Sequence, residues 1–131
     1  MNESITRRDV LRTLGIGVAG GSVLRVIPAE AAALVKEAFE RRGYVYRRAD
    51  GLSLLMHQVG EAIQHADRGE TAKYLHELED VVSIAYQYIM AENLSPELAD
   101  ALVVERIQAK VLPGVADGSI TQKYRLREAP R

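Results

Sequence analysis

Three stretches of the chain place apolar residues at the spacing of about 3.6 that marks one face of a helix. After Asp50, read as an N-cap, Leu52, Leu55, Met56, Val59, Ile63 and Ala66 form the first stripe, and Gly69 is placed to stop it. Leu75, Leu78, Val82, Ala85 and Ile89 form the second, predicting a helix from about Glu70 to Glu92. Ser95-Pro96-Glu97 supplies an N-cap, a proline at the first helical position and an acidic first turn. A third helix is therefore predicted from Pro96 to about Leu112, with Leu98, Leu102, Val103 and Ile107 facing inward and Pro113-Gly114 ending it. Short connections at 68–70 and 93–94 make successive helices antiparallel neighbours. Segment 34–50 reads as a short helix or linker, with an extended piece at Gly43-Tyr44-Val45-Tyr46, and 114–131 as a loosely docked tail. The pattern predicts an all-α, antiparallel three-helix bundle over 51–113, or four helices if Leu34–Arg42 joins it.

The N-terminus follows another logic. Thr6-Arg7-Arg8-Asp9-Val10-Leu11-Arg12 precedes a moderately apolar run, Leu14 to Leu24, in which Gly15, Gly17, Gly20 and Gly21 disfavour a stable domain helix. Arg25 and Pro28 follow, and then a cluster of small residues that offers cleavage after Ala31 or Ala33. This order resembles a twin-arginine export signal, with Arg7, Arg8 and Leu11 in the motif. The resemblance implies a leader over 1–33, recognition by the twin-arginine translocase and a periplasmic or otherwise exported domain of about 100 residues. The run Arg7 to Pro28 also resembles the leaders of gluconate 2-dehydrogenase subunit 3 proteins, small subunits of exported flavoenzymes. The uncharged stretch is shorter than the ~20 residues that span a bilayer, so no permanent transmembrane helix is expected.

Composition narrows the function classes. The absence of cysteine excludes disulfides, thiolate metal sites and cysteine nucleophiles. With 17 Lys+Arg against 18 Asp+Glu, the chain lacks the positive field of a nucleic-acid binder, and none is expected as partner. A helical unit this small commonly completes its buried surface against a larger protein or in a homodimer.

Two pairs of polar residues carry the candidate chemistry. Gln58 and Glu61 share one face of the first helix, and Glu77 and Asp80 share one face of the second. The antiparallel turn at 68–70 directs the pairs towards each other. Glu77 also aligns with Val81, Ile84 and Tyr88, which predicts partial burial. The pattern resembles the Glu-x-x-Glu…Glu-x-x-Asp site of the all-α, MazG-like nucleoside triphosphate pyrophosphohydrolases. That resemblance implies Mg²⁺ held by Glu61, Glu77 and Asp80, with Gln58 standing where the family has a carboxylate. His57, Glu61 and His65 also fall at successive i+4 positions, with His76 on the next helix, but exposed histidines are the simpler expectation. Tyr86 and Tyr88 read as core or interface aromatics.

Nucleoside triphosphates are cytoplasmic substrates, whereas a twin-arginine signal directs a folded protein away from them. The concordant signal and the missing carboxylate favour an exported, non-catalytic accessory subunit of a gluconate dehydrogenase-type oxidoreductase, without a cofactor of its own. The alternative is a Mg²⁺-dependent pyrophosphohydrolase with a degenerate site.

Overall fold

The computed structural model describes residues 27–125, and these are helical throughout apart from short connections. Arg7, Arg8 and Leu11 lie outside them. Four helices make the body: α1 (Pro28–Arg41), α2 (Arg48–Asp67), α3 (Thr71–Met90) and α4 (Pro96–Arg106). Helix α4 runs on through a π-helical segment, Ile107–Val111, into α5 (Leu112–Ala116), and α6 (Ser119–Tyr124) follows. The all-α class and the antiparallel α2–α3 hairpin are as the periodicity predicts.

Local chemistry sets the ends. Gly69 closes α2 at φ 70°, and Gly43 leaves α1 at φ 86°, left-handed positions that glycine occupies without strain. Ser95 Oγ accepts from Leu98 N at 3.2 Å, and Pro96 follows as the first helical residue. Pro113 does not end this helix. Its missing N–H and its ring disturb the backbone about one turn upstream, where the helix has widened to the π geometry of Ile107–Val111 and so passes the proline. The expected tail is accordingly helical in its first part. Gly118 at φ 78° and an Asp117 Oδ1 that accepts from Ser119 N at 2.9 Å start α6.

The helix foreseen at 34–42 begins six residues earlier, at Pro28, because proline at the first position and an alanine-rich run both favour helix there. Its alanines are structural. Ala29 (0% exposed), Ala32 (3%), Ala99 (0%) and Met90 (5%) form the core where α1, α3 and α4 meet, with Ala33, Tyr86 and Ile89 packed against them. Ala31 and Ala33 are half-buried within α1. Cleavage after Ala31 would remove Ala29 from the core, and cleavage after Ala33 would remove Ala32 as well. Among the described residues, helix thus begins at Pro28, within the segment expected to end the leader at Ala33.

Small side chains bring these helices close, but they bury little area. Among the described residues no large side chain is fully buried. The predicted inward stripe Leu52, Met56, Val59 and Ile63 is exposed, and so are Leu75, Leu78 and Val82. On α4 Ala99 is buried and Val103 half-buried, while Leu98 and Leu102, with Ile107 just beyond the helix, face solvent. Helix α2 meets α3 instead through Gly51, Leu55, Gln58, Ala62 and His65, which are withdrawn from solvent together with Tyr74, Glu77, Val81, Ile84 and Tyr88. At about 100° per residue, the two exposed ridges lie roughly a quarter to a third of a turn from this contact line. Because the helices are antiparallel, both displacements fall on the same side of the hairpin. One side of α2–α3 is thus a continuous apolar face. Covering what remains exposed of its seven large side chains is worth about 5–10 kcal/mol, comparable to the whole net stability of a typical domain.

The hairpin closes most tightly at Gly51. A Cβ there would stand 2.5–2.7 Å from three ring atoms of Tyr88. In an open helix, Gly→Ala stabilises by about 1 kcal/mol. Here the ring, held by hydrogen bonding and stacking, would have to move, so Gly51→Ala is expected to destabilise by about 1–3 kcal/mol in urea unfolding.

Candidate functional site

The side of the hairpin opposite the apolar face carries the polar residues. The predicted cluster is assembled there: Glu61 lies within hydrogen-bonding reach of Glu77, and the charges of Glu61 and Asp80 both act on Glu77. Glu77 is the most enclosed of the acids, its side chain 16% exposed. Burial is the main force raising its pKa, followed by the shared hydrogen bond and repulsion from Glu61 and then Asp80, while His65 opposes the shift. Asp80 is raised too, by burial first and then by Glu79, against the opposing His76. Two helices thus bring Glu61 and Asp80 against the partly enclosed carboxyl of Glu77.

Two oxygens in the cluster have no hydrogen-bond partner although solvent does not reach them: Oε1 of Gln58 and Oε2 of Glu77. Such orphaned acceptors are uncommon in a folded protein and mark a position where a donor or cation would be accommodated. The donor set does not close on one point, however. Among the described residues no three His, Asp or Glu side chains converge as ligands of one metal ion. Gln58, Glu61, Glu77 and Asp80 lie on the two facing helices as neighbours, as their spacing predicts.

The histidines divide. His57 Nε2 lies 2.8 Å from Glu61 and His76 Nδ1 3.0 Å from Glu79, both on the surface. His65 is largely enclosed instead, 3.2 Å from Glu70 and 3.9 Å from Glu77. Glu70 is held below the usual carboxylate range by hydrogen bonds from Lys73 and His65. Of the aligned three, His57 and Glu61 pair with each other, while His65 turns to Glu70 and Glu77.

Next to the cluster, an aromatic group seals the far end of the hairpin. Phe39, Tyr44, Tyr46 and Tyr88 stack in series with centroids 5.5, 5.0 and 5.0 Å apart. The Tyr44 and Tyr88 hydroxyls are hydrogen-bonded at 2.7 Å. Tyr46 donates to Gln87 Oε1 at 2.7 Å, and Gln87 Nε2 donates to Ser83 Oγ at 3.1 Å. Burial pushes the Tyr46 phenol up to about 12 and raises Tyr88 as well. The stretch 43–46 is therefore not a strand but a connection clamped onto α3, which explains its alternating tyrosines. An open cavity of about 590 Å³ lies beside it, lined by Phe39, Tyr44, Leu54, His57, Ile84 and Tyr88 among others. Sequence reasoning missed Tyr44 and Tyr46; the Tyr-Val-Tyr alternation was the available signal.

Comparison with protein-family models, with curated proteins and with solved structures finds no match to this chain.

A group whose pKa is raised on folding binds its proton more tightly in the folded than in the unfolded state. Its contribution is present at low pH and is lost as pH rises through the folded value. The contribution of Glu77 to stability is therefore expected to fall as pH rises through the interval just above the ordinary glutamate value of about 4.3. Glu77→Gln is expected to flatten that slope and to raise the unfolding midpoint at pH 8. A slope that Glu77→Gln leaves unchanged in thermal melts between pH 4 and 8 would contradict the raised Glu77 carboxyl.

Proposed function

We propose that this chain is an exported, non-catalytic accessory subunit that binds a larger twin-arginine-exported oxidoreductase of the gluconate dehydrogenase type. The observation that carries the interaction role is the C-terminal arm. Val104, Ile107, Val111, Leu112 and Val115 are exposed on a helix whose segments beyond Arg106 pack on α4 and on one another, not on the body of the domain. An apolar helical ridge projecting from a small domain suits insertion into a groove on another protein.

Export is supported by the Arg7-Arg8 pattern and the apolar run behind it. The buried Ala29 and Ala32 add a constraint: the leader is retained or is processed before Pro28. No described helix is long and apolar enough to cross a membrane, so any tether would come from the leader.

Cell fractionation of the full chain tests this reading. The expected result is a periplasmic protein that still contains Ala29 by mass spectrometry and becomes cytoplasmic in the Arg7→Lys/Arg8→Lys variant. Co-expression with a gluconate dehydrogenase large subunit should yield a complex that Ile107→Glu/Val111→Glu disrupts. A cytoplasmic wild type beginning at Met1 or Asn2 would overturn the export role, and a complex indifferent to the arm would overturn its assignment.

A second reading has its own support in the orphaned oxygens of Gln58 and Glu77. It is a Mg²⁺-dependent, MazG-like pyrophosphohydrolase with a weakened site. Mg²⁺-dependent pyrophosphate release from nucleoside triphosphates, lost in Glu77→Ala and in Asp80→Ala, would establish it in place of the accessory role.

A further inference from the structure

We infer that the apolar face of the α2–α3 hairpin is covered by a second copy of this chain, two hairpins stacking face to face as a four-helix bundle. This goes beyond the proposed function, because it concerns the hairpin and not the C-terminal arm. It stands or falls whether or not an oxidoreductase binds that arm.

Helix α3 has α2 on one side and the α1–α4 layer on the other, but α2 packs along its length on α3 alone. A helix with one partner and an uncovered apolar ridge is half of a layered arrangement. The ridge is not a scatter of isolated side chains. Leu52, Met56, Val59 and Ile63 run the length of α2, with Met56 76% exposed, and Leu75, Leu78 and Val82 run beside them on α3. Ala49 and Ala66 extend the first ridge and Ala85 the second, and the charged Arg48 and Asp67 stand only at the ends of the first. Depletion of charge marks the centre of permanent interfaces and not an ordinary solvated face.

The dimensions suit a second copy. Both helices have 20 residues, so the face is about 30 Å long, and two helices abreast are about 20 Å wide. That footprint is about 600 Å² per copy, or about 1,200 Å² in total, which reaches the range of stable specific interfaces. A flat, uncharged pair of antiparallel helices is complementary to itself under a two-fold axis, so each copy supplies the layer the other lacks. The acidic cluster lies on the opposite side of the hairpin and stays clear of the contact.

Because the chain has no cysteine, single-cysteine variants report contacts without background. Sedimentation equilibrium of the full chain is expected to give twice the 14.5 kDa chain mass. Met56→Cys and Leu78→Cys should crosslink to a second copy with a short bis-maleimide, whereas Gln64→Cys, off the apolar face, should not. Met56→Glu/Leu78→Glu should weaken association by on the order of 100-fold or more. If those glutamates unfold the chain, as circular dichroism would show, the conservative cysteine variants decide the matter. A monomer at 100 µM would overturn the inference. So would a dimer that both glutamates leave intact, or crosslinking as strong from Gln64→Cys as from the ridge positions.

Discussion

Close contact through alanine is the constraint on which the rest of this structure depends. Ala29 and Ala32 on α1 and Ala99 on α4 allow those helices to approach α3 around Met90, so the backbones meet with almost nothing between them. Such contacts fix positions well, but they remove little apolar area from water, and burial energy scales with that area. Many of the leucines, valines and isoleucines that would ordinarily fill a core remain outside it. The fold is therefore defined by its helix contacts and under-supplied with buried surface, which leaves much of its apolar area on the exterior.

The α2–α3 hairpin divides that exterior into two chemically opposite sides. Both arise from the same contact line. Gly51 lets the Tyr88 ring lie directly on α2, Gln58 and Glu77 are drawn into the seam, and rotation about each helix then sends the aliphatic ridges one way and Glu61 and Asp80 the other. The seam explains the electrostatics as well: withdrawing Glu77 from water beside Glu61 raises its pKa, so the hairpin holds protons that the unfolded chain would release. Acidic pairing and apolar exposure are thus two consequences of one packing decision.

Features governed by neighbouring residues were legible in the sequence. Gly69, the Ser95-Pro96 start and the existence of helices α2, α3 and α4 each depend on chemistry within a turn or two. The spacing of Gln58, Glu61, Glu77 and Asp80 also carried through, because a tight antiparallel turn converts spacing along the chain into proximity. What periodicity cannot give is direction. Leu52, Met56, Val59 and Ile63 form the helical stripe they were expected to form, yet it faces outward, since a stripe records that something covers it and not which chain does so. Helix α1 was obscured differently. Its opening alanines match the small residues of a cleavage region as well as they match a close helix contact, and only Met90 and Ala99, some 60–70 residues away, distinguish the two. The clamp of Tyr44 and Tyr46 onto α3 is likewise non-local.

That the chain completes its burial outside itself can be tested by following the thermal midpoint across a hundredfold range of protein concentration. Linkage requires a fold completed by its own second copy to melt at a higher temperature as concentration rises. The account predicts a midpoint that climbs steadily by several degrees over that range. A reversible transition whose midpoint is independent of concentration would show that a single chain is sufficient, and would contradict it.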